Sequence, residues 1–193
     1  MDTIHVAALV GSLREASYTR LACRRALAVA DEYDRVETDL IDLRTLDLPT
    51  YNGDRDDPPG VTELLERVAA ADAVLLGTPN YHGSYSGVLK NALDYCGFDE
   101  FEDTTVGLLV VAGGAYSSAP LDHLRIVARS VNAWVIPHQV AIQGASSRFE
   151  DGVLVDEKHA ERVDTLGRRL VEYANIEPDP PTQESESNVG ADD

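Results

Sequence analysis

Two periods of apolar residues trade places five times along this chain. Residues 4–10, IHVAALV, form a mostly apolar run that reads as a strand buried on both faces. The polar stretch GSLREASYTR follows, and then Leu21, Ala22, Ala26, Val29 and Ala30 recur at helical spacing. Residues 36–43 alternate apolar with acidic side chains, as an exposed strand does. After a loop broken by Pro49, Pro58 and Pro59, residues 61–71 read as an amphipathic helix with Pro59 near its first turn. Residues 73–78 are a third strand and 77–87 a loop, beyond which Val88, Leu89, Ala92, Leu93 and Cys96 mark another helix. Residues 105–112 are a fourth strand, 118–132 a helix, 134–140 a fifth strand, 144–152 a loop and 156–175 a final amphipathic helix.

Five strands alternating with five helices predict an α/β fold with right-handed crossovers. The expected architecture is a flavodoxin-like, doubly wound, five-stranded parallel sheet of order 2-1-3-4-5 in three αβα layers. It occupies residues 1–176. Residues 177–193 carry prolines and many acids but almost no apolar side chains, so burial cannot offset their ordering entropy and a disordered tail is expected. In the order 2-1-3-4-5, the loops after strands one, three and four meet at the switch point where α/β sheets bind ligands.

Composition narrows the function. The net charge of −18 is spread along the chain, and only Lys90 and Lys158 of its 16 basic residues are lysine. Diffuse acidity with little lysine suggests a halophilic protein, although high genomic G+C content also favours arginine. Nucleic acid is disfavoured as a partner, since there is no basic face to release counterions. No apolar run is long enough to span a bilayer, and no apolar signal region precedes the first strand, so a cytoplasmic protein with no membrane partner is expected. Cys23 and Cys96 lie on apolar helical faces and read as buried free thiols. His5, His138 and His159 lack partners at metal-ligand spacing, so no metal is expected.

The three loops suggest the ligand. The first has Gly11 without the later glycines of the dinucleotide fingerprint, and no Gly-Lys-Ser/Thr follows as in a phosphate-binding P-loop. What it offers is Ser12, Arg14, Ser17 and Thr19 before a helix N-terminus, a set that suits one terminal phosphate. The second brings Asn80, Tyr81, His82, Gly83 and Ser84, and the third, at Gly113 and Gly114, permits close backbone approach to something flat. A phosphate at one end and a planar heterocycle at the other describe a mononucleotide, FMN above all.

These residues carry a resemblance. Gly11-Ser12-x-Arg14-x-x-Ser17, then Thr78-Pro79-x-Tyr81-x-Gly83-Ser84-x-x-Gly87-Val88-Leu89-Lys90-Asn91-Ala92-Leu93-Asp94, then Gly113-Gly114 resemble the NADPH-dependent FMN reductase family, which includes flavin, quinone, azo-dye and chromate reductases. The resemblance implies that Ser12, Arg14, Ser17, Tyr18 and Thr19 hold the FMN phosphate. It implies that Pro79, Asn80, Tyr81, His82, Gly83 and Ser84 line the ring, with Gly113, Gly114 and Ser117 at its other edge. The resemblance places Asn commonly at position 19, where the Thr19 hydroxyl can make a similar contact, and Glu at 80 and Asn at 82, departures that fall on the substrate face.

The implied activity is hydride transfer from NAD(P)H to bound flavin and on to a small acceptor, a flavin, quinone or similar molecule. The cofactor carries that chemistry, so no catalytic side chain is required, although His82 is placed to supply a proton. A homodimer or homotetramer is implied by the same resemblance. One alternative is a flavodoxin-like electron carrier that does not use NAD(P)H, and another is a flavin-free protein on this fold. Trp134 is expected in the core or an interface, His123 and Arg125 on the surface or an interface, and Lys90 and Asn91 in helix packing or a subunit contact.

Overall fold

The computed structural model describes residues 3–54, 58–115 and 118–174. Strands β1 (Ile4–Val10), β2 (Val36–Asp42), β3 (Ala73–Pro79), β4 (Thr105–Val111) and β5 (Trp134–Ile142) form one parallel sheet of order β2-β1-β3-β4-β5. The expected flavodoxin-like order and three-layer arrangement are present. The proposed tail, 177–193, and Ser117 lie outside the described residues.

Two apolar layers sandwich the sheet, because successive strand residues point to opposite faces. Val6, Ala8 and Val10 pack with Ala22, Ala26, Val163, Leu166 and Leu170, on helices α1 (Tyr18–Ala30) and α6 (Glu157–Glu172). Ala7 and Leu9 face Leu64, Leu89, Leu121 and Leu124, on helices α2 (Pro59–Ala69), α3 (Gly87–Tyr95) and α5 (Ala119–Ser130). Every residue of β3 and β4 is buried, which is why these segments read as continuous apolar runs. The edge strand β2 is half-buried, as its acidic alternation implies, and Arg67 of α2 clasps Asp39 there at 2.6 and 2.8 Å.

Several boundaries differ from the sequence expectation for identifiable reasons. Helix α1 starts at Tyr18, before its first apolar residue, because Ser17 caps it: Ser17 Oγ accepts from Arg20 N at 3.2 Å. Tyr18, Thr19 and Arg20 are therefore helical. A short helix α4 (Phe98–Phe101) went unforeseen; Gly97 N donates to Glu100 Oε2 at 2.6 Å across its start. Strand β5 runs two residues past 140, and its pairing with β4 shifts register between Val106 and Leu108, opposite Pro137, whose ring nitrogen has no hydrogen to donate.

Residues 144–152 are not a plain loop. Ala145–Ser147 form a 3-10 turn, and β6 (Phe149–Glu150) pairs antiparallel with β7 (Val153–Leu154) across Asp151 and Gly152. Both turn residues have positive φ, 47° and 81°, so this Asp-Gly pair is a hairpin signal that went unused. Helix α6 ends at Glu172, short of 175. Trp134 is 49% exposed and so is not a core residue. Cys23 and Cys96 are buried free thiols, and burial pushes both up to about 12.

Candidate functional site

The carboxyl ends of β1 and β3 are tied edge to edge. Gly11 N donates to Gly77 O at 2.8 Å, and Ser86 Oγ donates to Gly11 O at 2.6 Å while accepting from Leu89 N at 3.1 Å. Ser86 is thus both the N-cap of α3 and a strut to the first loop. Gly11 must be glycine, since a Cβ there would lie 2.7 Å from Leu89 Cβ. On the other side of the strut, Ser86 N donates to Thr78 Oγ1 at 2.9 Å.

Beyond Pro79 the chain turns back on itself. Tyr81 and Ser84 exchange two backbone hydrogen bonds, 3.0 and 3.1 Å, across a two-residue turn in which His82 and Gly83 have φ of 53° and 83°. Two consecutive positive φ values are the type I′ pattern, which Asn and Gly fill at least cost. His82 meets this demand as a residue that, like Asn, is enriched in that region. Asn80 Oδ1 accepts from Gly83 N at 3.0 Å, bracing the turn, and Asn80 N donates to Val111 O at 2.9 Å, joining it to β4.

These loops enclose a cleft of about 290 Å³. Its wall brings together Ser12, Arg14, Ser17, Tyr18, Thr19, Pro79, Asn80, Tyr81 and Gly113, nine of the residues expected from sequence. His82, Gly83 and Ser84 form the turn just outside that wall, where Ser84 Oγ meets His123 Nδ1 at 3.0 Å. Gly114 also stands back, its carbonyl accepting from Gly144 N at 3.3 Å. His123 is exposed, with its ring edge-on to Tyr85.

Ala16, Val111, Ala145 and Ser146 also line the cleft and were not anticipated. The last two arrive because β5 lies beside β4: Ala112 N donates to Ile142 O at 2.8 Å and Ala145 N to Ala112 O at 3.1 Å. A fourth loop at the site was implicit in the strand order. The β6–β7 hairpin is held against the same end by Phe149, stacked on Tyr18 at 4.7 Å.

One end of the cleft has the chemistry that suits an anion. Ser12, Ser17 and Thr19 are buried hydroxyl residues there, and the 13-residue helix α1 has no acidic side chain in its first turn. Its N-terminal amides and partial positive charge are left for a ligand. Arg14 is exposed beside them, and the ion pairs of the described residues do not include it. The opposite end is formed by Pro79, half-exposed Tyr81 and Gly113, where no Cβ narrows the approach. These donors and the flat opening fit the phosphate and ring of FMN.

Comparison with known proteins agrees with this geometry. The family model described as NADPH-dependent FMN reductase matches residues 4–147. The chain is 36% identical over 182 residues to an FMN-dependent NADPH-azoreductase of Staphylococcus haemolyticus, covering 88% of this chain and 95% of that one. It is 35% identical over 179 residues to the FMN-dependent NADPH-azoreductase of Staphylococcus aureus, with the same coverage. Among solved structures it resembles the flavoenzyme NAD(P)H:(acceptor) oxidoreductase FerB of Paracoccus denitrificans, with a TM-score of 0.74 and 28% identity over 89% of this chain and 97% of that one. An oxidoreductase from Corynebacterium diphtheriae shares the fold, with a TM-score of 0.76 at 22% identity over 92% of this chain and 100% of that one. With its family motifs gathered around one cleft and this likeness extending along most of its length, the chain belongs to the NADPH-dependent FMN reductase family of oxidoreductases.

Proposed function

We propose that the chain is an FMN-dependent NAD(P)H oxidoreductase that reduces small planar acceptors, azo dyes and quinones among them. The observation that carries this reading is the cleft itself: an anion site at the N-terminus of α1 and an open, flat end at Tyr81 and Gly113. Ser12, Ser17, Thr19 and Arg14 would hold the phosphate of FMN, with Tyr18 closing that end. Pro79, Asn80, Tyr81 and Gly113 would border the ring, with His82, Gly83, Ser84, Gly114 and Ser117 beyond them. Bound FMN supplies two-electron chemistry, accepting a hydride from NAD(P)H and delivering it to a second substrate.

The protein's own contribution is to bind and orient. The turn at His82 and Gly83 fixes the open rim, and Tyr81 is 48% exposed there, leaving room for a flat substrate. His82 and the Ser84–His123 pair are the titratable groups placed to give a proton to a reduced acceptor. The naming of the relatives as NADPH-azoreductases favours this reductase over a carrier that ignores NAD(P)H.

A homodimer or homotetramer belongs to the same proposal, supported by Leu13, 54% exposed in the loop after β1, and by Tyr51, 47% exposed. Cytoplasmic location and adaptation to salt complete it, the latter supported by the charge of −18. Steady-state NADPH oxidation with an azo dye, a quinone or free FMN as acceptor tests the substrate class. Turnover with at least one, lost when FMN is removed and restored when it is added back, is expected; NADPH oxidation that none of them accelerates would overturn the reading.

A further inference from the structure

We infer that Arg20, which does not line the cleft, is the positioning residue that gives the anion loop its shape. This rests on the reading of the cleft as an FMN site. Arg20 lies in the first turn of α1 and is 6% exposed. Its guanidinium sits behind the loop and engages it at three carbonyls. Nη1 donates to Arg14 O at 3.1 Å and to Glu15 O at 3.0 Å, and Nη2 donates to Arg14 O at 3.1 Å and to Ser12 O at 3.4 Å. The fork is held by Asp42 at the end of β2: Nε donates to Oδ2 at 2.7 Å and Nη2 to Oδ1 at 3.3 Å.

The consequence follows from peptide geometry. In a trans peptide the C=O of one residue and the N–H of the next point in opposite directions. Turning the carbonyls of Ser12, Arg14 and Glu15 back toward Arg20 therefore turns the N–H groups of Leu13, Glu15 and Ala16 away from it. Ser12, Arg14 and Ala16 of this loop line the cleft, and Arg20 does not. Arg20 thus aims loop amides without touching the ligand, and Asp42 lets strand β2, which contributes no wall residue, take part in the site. Asp42, which also lies 3.8 Å from Arg44 Nε, offsets part of the guanidinium charge, and the bonds to the loop carbonyls make the effect chiefly one of orientation. Only a planar fork can reach three carbonyls and a carboxylate together, and lysine has no such geometry.

The test compares FMN with riboflavin, which carries the same ring and ribityl chain but no phosphate. Affinities of both for the wild-type apoprotein, Arg20→Lys and Asp42→Asn are measured by quenching of flavin fluorescence, with circular dichroism to confirm that each variant is folded. Wild type is expected to bind FMN far more tightly than riboflavin. Arg20→Lys should weaken FMN about 10- to 100-fold, the scale of charge-assisted hydrogen bonds, while moving riboflavin little. Asp42→Asn should shift the ratio in the same direction by less, and it carries the test if Arg20→Lys does not fold. Folded variants that keep the wild-type ratio, or that weaken both flavins alike, would overturn the role given to Arg20 and leave the FMN site standing. A wild-type protein that binds neither flavin would overturn the site reading and this inference with it.

Discussion

Ser86 and Gly11, 75 residues apart in sequence, are joined by a 2.6 Å hydrogen bond from the Ser86 hydroxyl to the Gly11 carbonyl. The same oxygen caps α3 by accepting from Leu89 N. One buried side chain therefore sets the distance between the anion loop and the loop that follows β3.

Ser86→Ala removes a helix cap and a buried hydrogen bond at once. Stability should fall by about 1–3 kcal/mol, read from the urea midpoint, and FMN affinity should fall with it because the two loops lose their common strut. A change below about 0.5 kcal/mol, the scale of ordinary surface substitutions, would show that the strut is dispensable.

His82 is a non-glycine residue held at φ 53°. Asn at this position should raise stability by a few tenths of a kcal/mol to about 1 kcal/mol, whereas the β-branched Val should lower it by about 1–2 kcal/mol. Thermal unfolding of the two variants checks the sign. Equal melting temperatures for His82→Asn and His82→Val would contradict the turn geometry. Where His82 also supplies a proton, both substitutions slow turnover together, which separates the chemical role from the conformational one.

The start of α6 should respond to acid. Asp156 caps that helix, and its carboxyl is lowered from 3.8 to about 2, first by the side-chain hydrogen bond from His159, then by the His159 backbone N–H, with the charge of Arg148 adding to both. A folded value below the unfolded one means that the cap contributes fully above about pH 4 and is lost as pH falls toward 2. Acid titration followed by far-ultraviolet circular dichroism should show this helix weakening in that window. Asp156→Asn keeps a capping oxygen but removes the titration, so its curve should be flatter there; identical curves for the two proteins would contradict the assignment.

The sheet was legible because β3 and β4 are buried on both faces and so are written as unbroken apolar runs, and the cleft was legible because its loops are written in small and hydroxylic residues. The beginning of α1 was hidden for the opposite reason. Tyr18 and Thr19 line the cleft and Arg20 braces the first loop, so these positions carry no apolar period. Nothing in the sequence around Arg20 marks it out; its burial and its pairing with Asp42 across the fold do. Ala145 and Ser146 were missed because a residue's place in the wall depended on strand adjacency, not on its own chemistry. Of the two places expected for Trp134, the core is excluded: it starts an edge strand, half-exposed, with its indole N–H directed at Asp103, 3.4 Å away.

The most direct measurement is the visible spectrum of the FMN-loaded protein, recorded without oxygen in high salt before and after NADPH and, separately, NADH. The expected result is a protein-bound flavin band that bleaches with at least one nucleotide and returns when an azo dye or quinone is added. A band that persists with both nucleotides yet bleaches with dithionite would contradict the reductase and point to an electron carrier, and a protein that takes up no FMN would contradict the site itself.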